Sequence, residues 1–371
     1  MKTVSEDFKS IIKPTLLLGK TKCLANIQKM AAKAKRHQLE FRPHFKTHQS
    51  LEIGRWFKDF GIDKIAVSSL SMANYFAKEW NDITVAFPTN ILEIDTINTL
   101  ASNITLNLTV ENTESVQYLK KYLTHKVNVF IQIDVGYGRT GIDPNNTTYI
   151  NDLLKHIDKS PHMQFMGFLY HAGHTYQCKS KECVENIHQN GLRIINQLKS
   201  IYLEAYPDLI VSLGDTPSCS ISEEFQGIDE IRPGNFVFYD LMQHQIGSNT
   251  LEDIAVAMAC PIVAKHKNRS EIVIYGGGIH FSKDRIIENG TTIYGKVVEK
   301  TASGWGKIVK NTYLKRVSQE HGIVKVPSED FDHYAIGDYL LILPVHSCMT
   351  VDVMTYYLTL EGTEISTLNS L

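Results

Sequence analysis

The sequence contains no apolar run long enough to cross a bilayer, so no membrane span is expected. Its opening residues, MKTVSEDFKS, mix charged and polar groups without an apolar core, so no secretory leader is expected either. None of the six cysteines (Cys23, Cys178, Cys183, Cys219, Cys260 and Cys348) forms a CxxC pair, unlike the framework of a small secreted domain. Reduced thiols and a cytoplasmic setting are the expectation. An excess of either charge is missing as well: 38 Lys+Arg against 40 Asp+Glu leave a net charge of -2. No broad positive field then invites nucleic acid or an anionic membrane, and a small-molecule partner is expected instead. Repeats and low-complexity segments are absent. The dinucleotide fingerprint is also lacking, since Gly276-Gly277-Gly278 follows a strand-like run but has neither the spacing nor the βαβ setting. A tight turn and a ligand contact weigh equally for that triplet.

What is present suits two domains in 371 residues: an apolar share of 43% with 21% charged residues fills a sizeable core. Short β-rich runs at 39–42, 64–68, 83–87, 104–108, 127–134, 164–170, 209–213 and 230–238 alternate with stretches of helical spacing. Leu24, Ile27, Met30 and Ala31 make one such stretch; Val184, Ile187, Leu192, Ile195 and Leu198 make another. Eight βα units predict an α/β fold with a closed TIM-like (β/α)8 barrel over 20–252, with an open doubly wound sheet as the alternative. Residues 253–371 read as strand-like pieces (254–258, 271–275, 292–298 and 339–343) separated by turn signals, a second, β-rich domain. The segment 1–19, with its apolar run at 15–18, is assigned to that second domain.

Barrel enzymes build their sites from the loops after the strands, and here those loops concentrate chemistry. The first strand leads into Arg42-Pro43-His44-Phe45-Lys46-Thr47-His48, the fifth into Asp134-Val135-Gly136-Tyr137-Gly138-Arg139, the sixth into His171-Ala172-Gly173-His174-Thr175-Tyr176. A lysine at a strand end beside Pro43 and Phe45 loses hydration and becomes a usable amine nucleophile, which makes Schiff-base chemistry plausible at Lys46. An isolated lysine is more often merely solvated; the company of Lys46 reverses that. After the seventh strand, Ser212-Leu213-Gly214-Asp215-Thr216-Pro217 combines a permissive glycine with two hydroxyls and looks like a phosphate cradle. The eighth supplies Arg232-Pro233-Gly234-Asn235 before Tyr239-Asp240. Each loop alone is equally an ordinary turn; together they occupy the frequent phosphate position of such barrels. Late in the chain, His346 and Cys348 stand two residues apart, so an extended backbone points both the same way, toward one ion. Spacing alone favours a buried thiol beside a hydrogen-bonded histidine; further ligands have to come from water, His174, Asp352 or a substrate. His321-Gly322, after Ser318-Gln319-Glu320, is assigned no catalytic role.

Taken together, RPHFKTH, DVGYGRTG, HAGHTY, RPGNFVFYD, SQEHG and PVHSC occur in the order of the D-serine dehydratase and D-threonine aldolase family. The chain resembles that family over nearly its whole length, and the likeness implies an alanine-racemase-type pyridoxal-phosphate fold. It implies that Lys46 holds pyridoxal 5'-phosphate covalently, that Arg139 faces the pyridine nitrogen, and that the 212–216 loop holds phosphate. His171, Ser212, Gly214, Thr216, Arg232, Gly234 and Tyr239 complete the expected cofactor set, and Tyr176 borders the substrate as a second catalytic residue. The likeness also implies zinc, or another divalent metal, at His346 and Cys348, since aldolase relatives more often place an oxygen ligand at the second position. A homodimer is implied too. The chain departs from the commonest family pattern at Gly19, Asp215 and 276–284; an acidic Asp215 repels phosphate unless it turns outward.

The reaction this implies starts from a D-3-hydroxy amino acid. Lys46 removes the Cα proton as general base, the metal meets the β-hydroxyl, and a keto acid and ammonia leave. The rival is a retro-aldol cleavage to glycine and an aldehyde. A racemase and a non-catalytic pyridoxal-phosphate carrier are further readings; the carrier needs neither a second domain nor a metal pair.

Overall fold

The computed structural model describes residues 11–370; the reading of MKTVSEDFKS, and the outermost part of the 1–19 assignment, lie outside the described residues. Strand β1 (Thr15–Leu18) precedes a helix over Lys20–Arg36, which buries Cys23, Ile27, Met30 and Ala34 at helical spacing. Eight parallel strands follow: β2 (Glu40–Phe41), β3 (Lys64–Val67), β4 (Asp82–Pro88), β5 (Thr105–Val110), β6 (Val127–Ile133), β7 (Met163–Tyr170), β8 (Ile210–Leu213) and β9 (Glu230–Ile231). Each of the eight predicted runs overlaps one of them. Their order, β2-β9-β8-β7-β6-β5-β4-β3, is a rolled parallel sheet. Closure comes just past β2, where a parallel bridge joins His44 to Ala66: Phe45 N–H donates to Ala66 O (2.8 Å) and Ala66 N–H to Pro43 O (3.0 Å). The sheet is therefore a barrel, not an open doubly wound sheet.

Helices cover the barrel. The long one over Lys181–Tyr202 buries Val184, Leu192, Ile195 and Leu198, the stripe its periodicity announced, with Ile187 only partly covered. Gly167, at a register shift in β7, has φ +142, and a Cβ there would stand 1.9 Å from Ile210 O. Only glycine lets β7 and β8 approach so closely.

Two predicted boundaries move. The run at 230–238 shortens to Glu230–Ile231 because Pro233 has no N–H for the ladder, and the chain turns into a single 3-10 turn at Asn235–Val237. The run at 292–298 divides into Thr291–Ile293, paired with Ile286–Glu288, and Gly295–Thr301, in a different sheet.

The second domain is a nine-stranded, mostly antiparallel sheet centred on β10 (Val256–His266). β10 pairs with β1, with Glu271–Tyr275 and with Tyr339–Pro344, and β1 also pairs with Tyr356–Thr359. The apolar run before the first helix thus sits in this sheet, outside the barrel.

The thiol expectation is overturned at one pair. Cys178 and Cys183 are joined in a disulfide, while Cys23, Cys219, Cys260 and Cys348 are free. Ser180 accepts from Cys183 N–H as the N-cap of the Lys181–Tyr202 helix, and that turn brings the two Cα atoms to 5.7 Å. Among the described residues, no helix is long and apolar enough to cross a membrane.

Candidate active site

Lys46 is placed by its neighbours. Phe45 is fully buried against Phe57, Phe76 and Trp80, with ring centroids 5.0 to 5.1 Å apart, and Thr47 and His48 are buried too. The Lys46 side chain stands in a cavity of about 540 Å³ at the mouth of the barrel. It is open to solvent within that cavity yet walled by protein on nearly every side, and the walls decide the cost of its charge. Burial first, then Arg139 and Arg232, lower its pKa, while Cys348 opposes them. The imidazoles of His44 and His171 line the same cavity and are held neutral, mainly by burial and then by the Lys46 ammonium.

At one end, Gly214, Asp215, Arg232, Gly234 and Asn235 form a polar cradle. Arg232 is fixed by a chain of ionic contacts across the barrel interior. Asp82 and Glu230 flank Arg42 at 2.6 Å each, Ser212 Oγ donates to Glu230 (2.5 Å), and Arg232 Nε donates to Ser212 Oγ (2.6 Å). Its NH2 donates to Tyr170 O and Ser212 O. Burial lowers the Arg232 pKa to about 10, so it is cationic at neutral pH. Both glycines are required by space: a Cβ on Gly214 would lie 2.6 Å from Arg232 NH1, and one on Gly234 would lie 2.9 Å from His44 O. Asp215 lines this end, yet one of its oxygens is tied into the scaffold. Its Oδ1 caps the Thr216–Ile221 helix by accepting from Ser218 N–H (2.8 Å) and also accepts from Thr175 Oγ1 (3.0 Å), and burial raises its pKa. Thr216 Oγ1 and Ser218 Oγ are buried without a partner, two orphaned hydroxyls that an anionic ligand group would complete.

One wall comes from two loops. Asp134 Oδ1 accepts from the N–H groups of Gly136, Tyr137 and Gly138, folding DVGYG into a tight arch. Tyr137 then stacks on His174 (5.9 Å) and under the exposed Arg139 guanidinium (5.0 Å). A Cβ on Gly173 would strike the Tyr137 ring at 2.2 Å, which accounts for the glycine in HAGHTY. Tyr176 OH accepts from Thr216 N–H (3.3 Å), and burial pushes its pKa well above the ordinary phenol range.

His346 and Cys348 line the same cavity. The backbone is extended at His346 but helical from Ser347 to Asp352, so the two side chains do not share an extended strand. They still face one cavity. His346 Nδ1 bonds Asp284 Oδ2 at 2.8 Å. Burial alone would lower the His346 pKa, but Asp284 and Cys348 outweigh it and push it up to about 11. Burial would raise Cys348, yet His346 and Lys46 hold it below an ordinary thiol. Among the described residues, no group of three or more His, Cys, Asp or Glu side chains converges as a metal site. Asp352 is engaged by Gln49 (2.9 Å) and His174 stacks on Tyr137, so neither expected auxiliary ligand joins the pair.

Of the residues singled out in the sequence, Lys46, Arg139, His171, Tyr176, Gly214, Arg232, Gly234, His346 and Cys348 line one cavity. Three do not. Ser212 serves only as the anchor of Arg232, Thr216 stands behind Asp215, and Tyr239 turns away to Ser220 (3.1 Å) because its own φ is +48. Its neighbour Asp240 faces inward instead, accepting from Ser347 N–H (2.9 Å) and Asn235 (2.6 Å). Asp284, Gln132, Gln177 and Met242 line the cavity without having been singled out for it. Gln132 carried a signal, a polar residue inside an apolar strand; Asp284 lies far along the chain from His346 and carried none.

Comparison with known proteins shows the family and the fold. Residues 21–241 match the family described as "Alanine racemase, N-terminal domain", and residues 255–360 the one described as "Putative serine dehydratase domain". D-serine dehydratase of Dictyostelium discoideum is 31% identical, covering 95% of this chain and 94% of that protein. The 3-hydroxy-D-aspartate aldolase of Paracoccus denitrificans is 23% identical, covering 97% and 92%. Among solved structures, D-threo-3-hydroxyaspartate dehydratase from Delftia sp. HT23 superposes with a TM-score of 0.88 at 22% identity over 99% of both chains.

Proposed function

The chain belongs to the D-serine dehydratase family, and on that premise we propose that it is a pyridoxal-phosphate lyase that eliminates water from a D-3-hydroxy amino acid, D-serine foremost, to give a keto acid and ammonia. One observation carries this reading: Lys46, an enclosed lysine with a depressed pKa, shares a single cavity with the pinned Arg232 cradle and with the His346 and Cys348 pair.

The residues present fit pyridoxal phosphate. Bound through Lys46, it supplies the electron sink that makes a substrate Cα proton removable. Gly214 and Gly234 leave room for the phosphate end, and the orphaned hydroxyls of Thr216 and Ser218 behind them support this. Arg232 is the guanidinium the fold holds rigid, whereas Arg139 sits exposed on an arched loop, so Arg232 takes the place toward the ring nitrogen that the family likeness had suggested for Arg139. Arg139, cationic at the cavity mouth, then receives the substrate carboxylate. Lys46 Nζ takes the Cα proton, for which its lowered pKa suits it. Tyr176 OH, kept protonated and fixed by Thr216 N–H, closes the side of the cavity next to the reacting carbon.

His346 and Cys348 would hold a divalent metal, zinc by ligand type, which supplies Lewis acidity beside the β-hydroxyl. A relative supports this: in the Delftia enzyme a histidine and a cysteine two positions apart have each been replaced by alanine, and the cysteine variant was solved in a metal-free form. With two protein ligands, the remaining positions are left for water and substrate. We further propose that the enzyme is a homodimer, from family likeness.

Aldolase chemistry is the second reading, supported by the likeness to the Paracoccus aldolase over almost the whole chain. Assay of D-serine, D-threonine and D-threo-3-hydroxyaspartate, with and without chelator, separates the two by product. Keto acid with ammonia is expected; glycine with an aldehyde would select the aldolase. Colourless protein without a borohydride-trapped adduct at Lys46 would remove both.

A further inference from the structure

We propose that Asp284 is the positioning residue of the metal pair: its carboxylate holds His346 Nδ1–H so that Nε2 is left free toward the ion shared with Cys348. This rests on the metal reading above.

The contact itself is direct, Asp284 Oδ2 to His346 Nδ1 at 2.8 Å, between two partly covered side chains. An imidazole has two distinct nitrogens, and a carboxylate on one fixes the tautomer, the ring plane and the basicity of the other. Asp284 is not itself a candidate third ligand through the same oxygen, because Oδ2 is committed to the histidine, and no three-residue group converges among the described residues.

The chain brings Asp284 to this place by means of two motifs that no step of the reaction uses. Gly276 N–H donates to Glu320 O (2.9 Å), Gly278 N–H to Ser318 O (2.7 Å) and Ile279 N–H to Gln319 O (3.1 Å). The two backbones lie in contact. A Cβ on Gly277 would be 2.5 Å from Gln319 O, and one on Gly322 would be 2.4 Å from Gly276 O. The triple glycine and SQEHG therefore form a backbone clasp, which settles the turn-or-ligand question for the triplet and places His321 on a structural element. Beyond the clasp, Phe281 is buried and its carbonyl accepts from Thr350 Oγ1 (3.2 Å), on the same short helix as Cys348. Ser282 adopts φ +67 and its Oγ accepts from Asp284 N–H (3.2 Å). The segment 276–284 is thus fastened at one end to the second-domain sheet and at the other to the helix that bears Cys348, with Asp284 facing His346.

The test is cobalt(II) binding by the full-length, cofactor-loaded protein, measured by competition against a chromophoric chelator and by the thiolate-to-cobalt absorption that reports Cys348. Asp284→Ala should weaken affinity by about 10- to 100-fold and shift that absorption, while the cofactor colour and the melting temperature stay at their wild-type values. Asp284→Asn, which keeps an oxygen acceptor for Nδ1–H, should recover part of the affinity. His346→Ala and Cys348→Ala separate the two hypotheses. If they abolish binding and Asp284→Ala leaves affinity and spectrum unchanged, the positioning role is wrong and the metal reading stands. If the wild type binds no cobalt, or binds it regardless of His346 and Cys348, the metal reading falls and takes this role with it. Loss of colour and of thermal stability along with metal in both Asp284 variants would mark a merely structural residue and overturn the proposal.

Discussion

Thr47 Oγ1 lies 3.3 Å from Cys348 Sγ, so the strand end that carries Lys46 touches the second-domain helix that carries the thiol. The barrel lysine is directly adjacent in the chain to this contact between domains. The loop after β9 meets the same helix at Asn235, whose Nδ2 reaches Ser347 Oγ at 3.1 Å and Cys348 Sγ at 3.5 Å. The cofactor end and the metal end of the proposed site are therefore parts of one packed unit.

Lys46 should combine with added pyridoxal phosphate at a lower pH than a free lysine does. Only the neutral amine attacks, so the rate of adduct formation by cofactor-free protein should rise with pH and level off below the ordinary lysine value of 10.5. Stopped-flow absorbance across pH measures this; a midpoint at or above that value would contradict the enclosed setting. Lys46→Ala should lower turnover by about 10²- to 10⁴-fold or more, as the general base is lost.

Gly214→Ala should damage cofactor binding more than global stability. The added methyl meets Arg232 NH1 at 2.6 Å, and Arg232 cannot withdraw because Nε and NH2 are already bonded to Ser212 and Tyr170. Overpacking of this kind costs about 1–3 kcal/mol. Equilibrium titration with pyridoxal phosphate, alongside thermal melting, should show weakened affinity; unchanged affinity would mean that the cradle lies elsewhere.

Chelation should abolish elimination while leaving the cofactor colour, because Lys46 and not the metal pair would hold the cofactor. Activity should return with zinc. Cys348→Ala should behave as chelated enzyme does, coloured and inactive in a product assay. Full activity in Cys348→Ala would exclude a catalytic metal at this pair.

Four of the six cysteines should react with a thiol reagent after denaturation without reductant, since Cys178 and Cys183 are bonded to each other. The bond closes a short loop directly after Tyr176 and Gln177, which line the cavity. Its removal by Cys183→Ser should lower stability by on the order of 2 kcal/mol. Mass spectrometry of the unreduced peptide 178–183 settles the linkage; six reactive thiols would refute it.

Much of the architecture was legible because it depends on local pattern. Alternating apolar runs and helical stripes are properties of neighbouring residues, and each predicted barrel run overlaps a strand. The boundary errors have local causes too, Pro233 ending β9 early and Tyr294 being the point where one run divides between two sheets. The cavity residues were legible where they cluster beside strand ends, as around Lys46, Arg139 and Tyr176. Ser212 and Tyr239 were misplaced because composition cannot tell which of two adjacent side chains faces inward: at 239–240 a positive φ sends the tyrosine out and leaves the aspartate in.

From its order of residues alone, this protein was bound to form a barrel with a β-rich companion and to gather a lysine, two arginines, a histidine and a cysteine near loop ends. Hydrophobic periodicity and turn chemistry act over a few residues, and that range suffices for such conclusions. Tertiary structure alone decided that Arg232 and not Arg139 is the rigid cation, that Asp215 is tied to Thr175, and that Asp284 faces His346. Each of these is a contact between segments 20 to 62 positions apart. Long-range contacts of that kind are set by the packing of the whole chain, because no local preference records which distant partner a buried polar group will meet.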